Sequence, residues 1–348
     1  MPVQRRSGSS PVSQPYQPPC TLTPTILNRV AEIAERVGRL AVRLEAERDL
    51  HLRRVNRIRS IRGSLAIEGN TLSEAQITAI LDGKPVIGPP REVQEARNAL
   101  KAYELLPGWQ PAQEADLLAA HRCLMAGLVD DAGRWRAGGV GVMAGQQVIH
   151  MAPPASQVPR LMGDLLHWLD RTDAHPLIAS SIFHYEFEFI HPFSDGNGRM
   201  GRLWQTLVLS RWHPLFIDTP VESLVHQHQA AYYAALQSST DEADSAPFLA
   251  FMLDRILEAI GCAAPQVTPQ PTPQVERLLR GIRGEMSREA LQQALGLQDR
   301  KSFRERYLAP ALELDLIEMS VPDKPSSRLQ RYRLTDLGRL WLEQQKGA

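Results

Sequence analysis

His191-Pro192-Phe193-Ser194-Asp195-Gly196-Asn197-Gly198-Arg199-Met200-Gly201-Arg202 brings an imidazole, a carboxylate, an amide, three glycines and two guanidiniums into one short stretch. An apolar run precedes it, Ile182 to Ile190, and another follows, Leu203 to Leu209. The spacing reads as helix, tight loop, helix, with the second helix beginning near Asn197. Gly196 and Gly198 allow backbone N–H groups to approach a ligand closely. A helix N-terminus attracts anions, and arginines three apart, Arg199 and Arg202, project their forks the same way. Asp195 beside such a site points to a hard cation, Mg²⁺, shared with phosphate oxygens. His191 fits a base poised near neutral pH. The stretch reads as a di- or triphosphate site with a base at its edge.

Composition narrows the classes around that reading. The 348 residues fit two or three domains, and 43% hydrophobic residues suffice for sizeable cores. Formal net charge is zero, which removes any global drive toward nucleic acid or anionic membrane. Cys20, Cys123 and Cys262 are too few and too scattered for a zinc site or a disulfide framework, so a reducing compartment is expected. No bilayer-length apolar run and no signal-like h-region are visible, which makes a cytoplasmic chain the expectation.

The twelve residues also fill every fixed position of the pattern His-Pro-Phe-x-Asp/Glu-Gly-Asn-Gly-Arg-x-x-Arg. In this the chain resembles the Fic-domain proteins, which mostly transfer AMP from ATP to protein hydroxyls. The resemblance implies His191 as the base, Asp195 as the Mg²⁺ ligand, and Gly196, Asn197, Gly198, Arg199 and Arg202 as nucleotide-binding residues. By the same carry-over Asn197 meets the α-phosphate, Arg199 the β-phosphate and Arg202 the γ-phosphate. Ser64-Leu65-Ala66-Ile67-Glu68-Gly69-Asn70 reads from its residues alone as a helix end, with Gly69 at the left-handed cap. A carboxylate is poorly placed there unless a cation holds it. The stretch resembles the family's inhibitory motif, Ser/Thr-x-x-x-Glu-Gly/Asn, in which Ser64 and Glu68 are the fixed residues and Glu68 pairs with Arg202 to obstruct the γ-phosphate. The same glutamate orients water for AMP removal in some relatives.

Outward from these two motifs the chain reads as mainly α: a Fic-type helical bundle with a β-hairpin flap, plus a C-terminal winged helix-turn-helix domain. Residues 1–24, rich in Pro, Ser, Gln and Thr, read as a disordered tail. Residues 25–110 form a helical region that contains the inhibitory helix, and 111–262 form the catalytic core. Arg53, Arg54, Arg57, Arg59 and Arg62 read as a solvated helix face, against the alternative of a nucleic-acid-binding run. Thr71 and Ser73 are capping candidates, with Glu74 and Gln76 three residues on, for a short helix ending near Gly83, and His121 reads as a packed or surface histidine. Two β-prone runs about a Gly-containing turn, beginning with Val140-Gly141-Val142-Met143, read as a hairpin whose edge accepts an extended peptide. They resemble the family's target-docking flap, against the plainer reading of a structural hairpin. One helix is expected over 221–238; Tyr232 and Tyr233 on it are candidates for the adenine pocket by resemblance, against core packing. Residues 263–274, with four prolines and no charge, form a linker.

The remainder, 275–348, follows winged-helix order: helices at 275–283, 288–295 and 300–314, strands at 316–320 and 329–334 joined by a turn at 322–327, and a last helix at 335–345. The recognition helix is 300–314, opened by Arg300, Lys301, Arg304 and Arg306. Residues 276–348 hold 14 Lys/Arg against 11 Asp/Glu, so DNA contact and protein docking or homodimerisation stand as equal readings. The implied partners are ATP and a hydroxyl-bearing protein, with no membrane. Gly198 fills the slot where a phosphate-transferring branch carries lysine, which argues against that branch; a CDP-choline branch also exists. A different class of reading makes the chain a DNA-binding regulator whose core senses nucleotide.

Overall fold

The structure, a computed structural model, describes residues 16–46, 50–144, 147–263, 272–314, 316–321, 330–335, 338–339 and 341–342. Most of the expected tail and linker, the turn at 322–327 and much of the helix expected over 335–345 lie outside them. The chain divides into two compact units, residues 1–264 and 265–348.

In the first unit the chain runs through α1 (Pro24–Ala46), α2 (Leu50–Ile67), α3 (Glu74–Leu81), α4 (Pro90–Leu105) and α5 (Glu114–Leu124). The hairpin β1 (Gly141–Ala144) and β2 (Gln147–Met151) follows, then α6 (Val158–Arg171), α7 (Pro176–Ile190) and α8 (Asn197–Trp212). The unit closes with α9 (Val221–Gln227), α10 (Gln229–Glu242) and α11 (Ala246–Ala263). The expected capping box is present at α3, where Ser73 accepts from the Gln76 N–H and Gln76 returns the bond to the Ser73 N–H. The single helix expected over 221–238 is two, broken at His228.

α7 is the axis of this unit. Apart from the half-buried Phe189 and its N-terminal Pro176, its residues are buried, the mark of a helix surrounded by others. Residues 16–21 are not loose: Tyr16 donates to Glu186 Oε2 at 2.8 Å and Thr21 N–H donates to Asp244, so this part of the expected tail is fixed to the body. Gly63 explains how close α2 comes. A Cβ there would stand 2.6 Å from the backbone of Glu222 and Ser223, so α2 lies directly on α9. That contact sets Ser64 and Glu68 against α8.

The second unit contains α12 (Pro273–Gly281), β3 (Met286–Ser287), α13 (Arg288–Ala294), α14 (Arg300–Phe303), α15 (Ala309–Glu313), β4 (Ile317–Met319) and β5 (Arg331–Leu334). The expected recognition helix is interrupted: Arg304–Leu308 between α14 and α15 widens to π-helical bonding. The sheet has an unforeseen third strand, in the antiparallel order β3-β5-β4. Phe303, Tyr307 and Leu308 face its core, while Arg300, Lys301, Arg304 and Arg306 are exposed.

Candidate active site

α7 ends one residue before the signature loop. His191 caps it in the left-handed region, φ 50° and ψ 62°, with its N–H donating to the Phe187 carbonyl at 2.9 Å. Glycine is the usual occupant of that position, and an L-residue there costs on the order of 1–3 kcal/mol. The turn swings the imidazole out of the packed helix; its side chain remains about one fifth exposed. Nδ1 lies 3.4 Å from the Glu188 carbonyl oxygen, an acceptor, so the ring proton belongs on Nδ1 and Nε2 is left basic.

Two clamps hold the loop beyond it. Asn197 closes on the backbone of Phe193 at both ends, accepting from its N–H and donating to its carbonyl, each at 2.9 Å. Phe193 is fully buried, its ring stacked on His121 with centroids 3.6 Å apart. His121 is the second clamp. Gly133 N–H donates to its Nδ1 at 2.8 Å, so Nε2 carries the proton and donates to the Asp195 carbonyl at 3.0 Å. Burial holds this imidazole down to about 4, against the pull of the Asp195 bond, so it stays neutral. Gly196, φ 85°, then starts α8, whose first intrahelical bond is Met200 N–H to the Gly196 carbonyl. The N–H groups before it are those a helix leaves without an internal partner.

Three charged groups face that first turn. Arg199 is 4% exposed; it donates to Asp195 Oδ1 at 3.0 Å and its Nη1 lies 3.3 Å from Glu95 Oε1. Its Nε and Nη1 have no hydrogen-bond acceptor among the described residues. Arg202 is 2% exposed and donates from Nε to Ser64 Oγ (3.1 Å) and from Nη2 to the Ser64 carbonyl (3.0 Å) and Glu68 Oε1 (2.7 Å). Burial opposes this charge, but Glu68, with Tyr232 and Glu188 behind it, outweighs that and keeps Arg202 firmly protonated. A Cβ added at Gly198 would stand 2.5 Å from Glu68 Oε1, so the carboxylate rests on the backbone of the first turn.

Asp195 accepts from Gly196 N–H (2.6 Å), from Arg199 and, on Oδ2, from Arg91 at 3.1 Å. The carboxyl group is 40% exposed and Arg91 is 58% exposed. That donor set fits Mg²⁺, which takes one or two carboxylates together with water and substrate phosphate; Arg91 is the partner that must yield. Among the described residues no cluster of three metal-ligating side chains exists.

The Asn197 side chain spends Oδ1 and one amide N–H on Phe193, which leaves its backbone N–H and its second amide N–H for an anion. Tyr232 is 2% exposed, its hydroxyl 3.1 Å from His184 Nε2, and it lines the core and not a nucleotide pocket. Tyr233, one residue on, points about 100° away around the helix and is half-buried, within electrostatic reach of Glu68 and Arg202. Val140 and Gly141 stand at the base of the hairpin, where the Ala152 N–H donates to the Val140 carbonyl at 3.2 Å, and Val142 and Met143 flank a register shift in β1. Arg91, Glu95, His121, Arg136 and Glu188 were not foreseen as site residues. Glu188 lies one turn before His191, with Oε2 4.0 Å from its Nδ1 and Oε1 lacking a hydrogen-bond donor among the described residues. Burial pushes this carboxyl up to about 8, with Arg202 pulling it down and Glu68 pushing it up.

Comparison with known proteins follows the same geometry. The Fic/DOC family model matches residues 111–209, and residues 273–335 match the C-terminal domain of the Fic-like proteins described as filamentation induced by cAMP. A crystal structure of a Fic family protein from Desulfovibrio desulfuricans G20 is 55% identical, over 92% of this chain and 99% of that one, with a TM-score of 0.71. The chain belongs to the Fic family. The Fic core is also similar to the protein adenylyltransferase Fic of Aedes aegypti, 34% identical over 212 residues. That match takes in 57% of this chain, and the chain spans about 40% of the length of that relative. A segment of Fic-1 from C. elegans, 24% identical with a TM-score of 0.55, shares the Fic fold over 68% of this chain. Among the described residues no helix is long and apolar enough to cross a membrane.

Proposed function

We propose that this Fic protein transfers AMP from ATP to a Ser, Thr or Tyr hydroxyl of a target protein, and that Glu68 holds the reaction off. One observation carries the reading: a base on a left-handed turn and two buried guanidiniums converge on the first turn of α8, with a carboxylate seated where an anion would lie. Support comes from the Aedes aegypti relative, which is named a protein adenylyltransferase.

The phosphates rest on the N–H groups of Asn197 and Gly198, with Arg199 and Arg202 supplying positive charge. Mg²⁺ held by Asp195 supplies further charge neutralisation when bound. His191 Nε2 takes the proton of the target hydroxyl. Its oxygen forms a bond to the α-phosphorus as the bond to the bridging α,β-oxygen breaks, and pyrophosphate leaves. Glu68 on Arg202 takes the γ-phosphate's cation and closes the front of Gly198. Tyr233 borders the nucleoside end. ATP and a hydroxyl-bearing protein are thus the partners, in the cytoplasm. The exposed Arg300, Lys301, Arg304 and Arg306 make the second unit a docking module for DNA or protein, subordinate to the transfer.

The test uses labelled ATP and lysate with the Glu68→Gly form. AMP-sized adducts on protein are expected, and His191→Ala in that background should cut the rate by at least about 10²-fold with the fold intact. Equal labelling with and without His191 removes the assignment.

A further inference from the structure

Arg136 is buried, 3% exposed, and among the described residues no carboxylate pairs with it. Four carbonyls neutralise it instead. Nε donates to His191 (2.7 Å), Nη1 to Gly138 (2.8 Å), and Nη2 to both Pro153 (2.6 Å) and Ile190 (3.3 Å). Its own N–H donates to the Pro192 carbonyl at 2.9 Å. These acceptors fall into two sets. Ile190, His191 and Pro192 are the end of α7 and the turn that carries the imidazole. Gly138 and Pro153 are the two feet of the hairpin, just outside the bond from Ala152 to Val140.

The physics favours this cation over any neutral donor. The C-terminal carbonyls of α7 carry the negative end of the helix dipole, which stabilises a positive charge. The planar fork reaches several carbonyls at once, which an ammonium cannot. Desolvation weighs against the charge and lowers its affinity for a proton, so the carbonyls are what retain it. His191 sits in a conformation that L-residues adopt reluctantly, and the carbonyl on that strained turn accepts the Nε bond.

We infer that Arg136 is a positioning residue that fixes the base on His191 and the target-docking hairpin to each other through one guanidinium. A hydroxyl delivered on the edge of the hairpin then meets Nε2 at a set height, and the nucleotide plays no part in that alignment. The hydrogen bonds of Arg136 go to the end of α7 and the feet of the hairpin, not to the first turn of α8. This inference rests on the transfer reading above.

The test compares Glu68→Gly with the Glu68→Gly/Arg136→Lys and Glu68→Gly/Arg136→Ala chains at full length. Auto-modification with labelled ATP gives the rate, a fluorescent ATP analogue gives nucleotide affinity, and NMR follows the His191 imidazole and the Gly198 amide. Misalignment of reacting groups by about 1 Å costs on the order of 10²-fold, so the lysine form should lose about that in rate. Its nucleotide affinity should stay within about threefold, the signature of an interaction made only on the way to the transition state. The His191 signals should move while Gly198 stays, and guanidinium ion at non-denaturing concentration should restore part of the alanine form's rate. A lysine form with undiminished rate overturns the inference. So does nucleotide affinity that falls in step with the rate, since that reports general collapse of the loop. If Glu68→Gly itself labels nothing, the transfer reading fails, and the NMR arm still decides whether Arg136 sets the His191 turn.

Discussion

Arg202 is a buried cation with a carboxylate that is two-thirds buried, and that asymmetry decides what Glu68 is for. The pair is held at 2.7 Å, and Ser64 supplies two further acceptors, so Arg202 is satisfied only while α2 is seated. Hydrogen bonds to charged groups contribute about 1.5–3 kcal/mol each. Glu68→Gly should therefore lower the stability of the nucleotide-free chain by roughly that much, read as a drop in Tm. ATP supplies a replacement anion, and a ligand stabilises the form it binds. The ATP-induced rise in Tm should then be larger for Glu68→Gly than for the unsubstituted chain; an equal rise would mean that Glu68 and phosphate do not compete. This pair was legible in the sequence because both motifs are local and fixed in spacing. The partners of Asp195 were not. Arg91 lies 104 positions away, and no periodicity links a surface arginine on one helix to a carboxylate in a distant loop. Tyr232 failed for a related reason. Adjacent residues on a helix face different ways, and sequence alone does not say which of two tyrosines turns inward.

At the scale of elements, the inhibitory contact depends on how far α2 can settle onto its neighbour. Gly63 has no Cβ, and one placed there would meet backbone atoms of Glu222 and Ser223, which cannot step aside as a flexible side-chain end can. Overpacking of this kind costs about 1–3 kcal/mol. Gly63→Ala should lift α2 from α9, carry Ser64 and Glu68 away from Arg202, and raise labelling although Glu68 is still present. Labelling no higher than in the unsubstituted chain would show that the motif reaches Arg202 without that packing. Most helices were readable from their 3.6-residue patterns and caps, as with Ser73 and Gln76 at α3. The break at His228 and the widened turn at Arg304–Leu308 were not, because each lies within a run of helix-forming residues that tertiary packing interrupts. β3 was missed since two residues, Met286 and Ser287, make no pattern by themselves and become a strand only by pairing with Tyr332 and Arg331.

For the whole molecule, the buried groups at the site set how stability varies with pH. His121 and His184 are held neutral by burial, at about 4 and about 3, below the ordinary 6.5. Their contribution is present above 6.5 and is lost as pH falls and the unfolded chain takes up protons. Glu188 acts in the opposite sense. Its folded value, about 8, lies above the ordinary 4.5, so its contribution is present at low pH and is lost as pH rises toward 8 while the unfolded chain releases the proton. Between pH 6.5 and 8 the folded chain keeps both histidines neutral while the unfolded chain sheds their last protons, a titration common to any two chains that keep both histidines, so a comparison of such chains follows Glu188 alone. Glu188→Gln removes the carboxyl titration and keeps nearly the same shape. Its stability relative to the unsubstituted chain should rise with pH in that window by up to about 1.4 kcal/mol per unit, and level off above about 8. Urea unfolding of both chains at matched pH values measures the gap, and the subtraction cancels other titrating groups such as Glu186. A gap that does not change from 6.5 to 8 would mean that Glu188 is already ionised at neutral pH, and that the carboxylate behind His191 is a charge which Arg202 fully compensates.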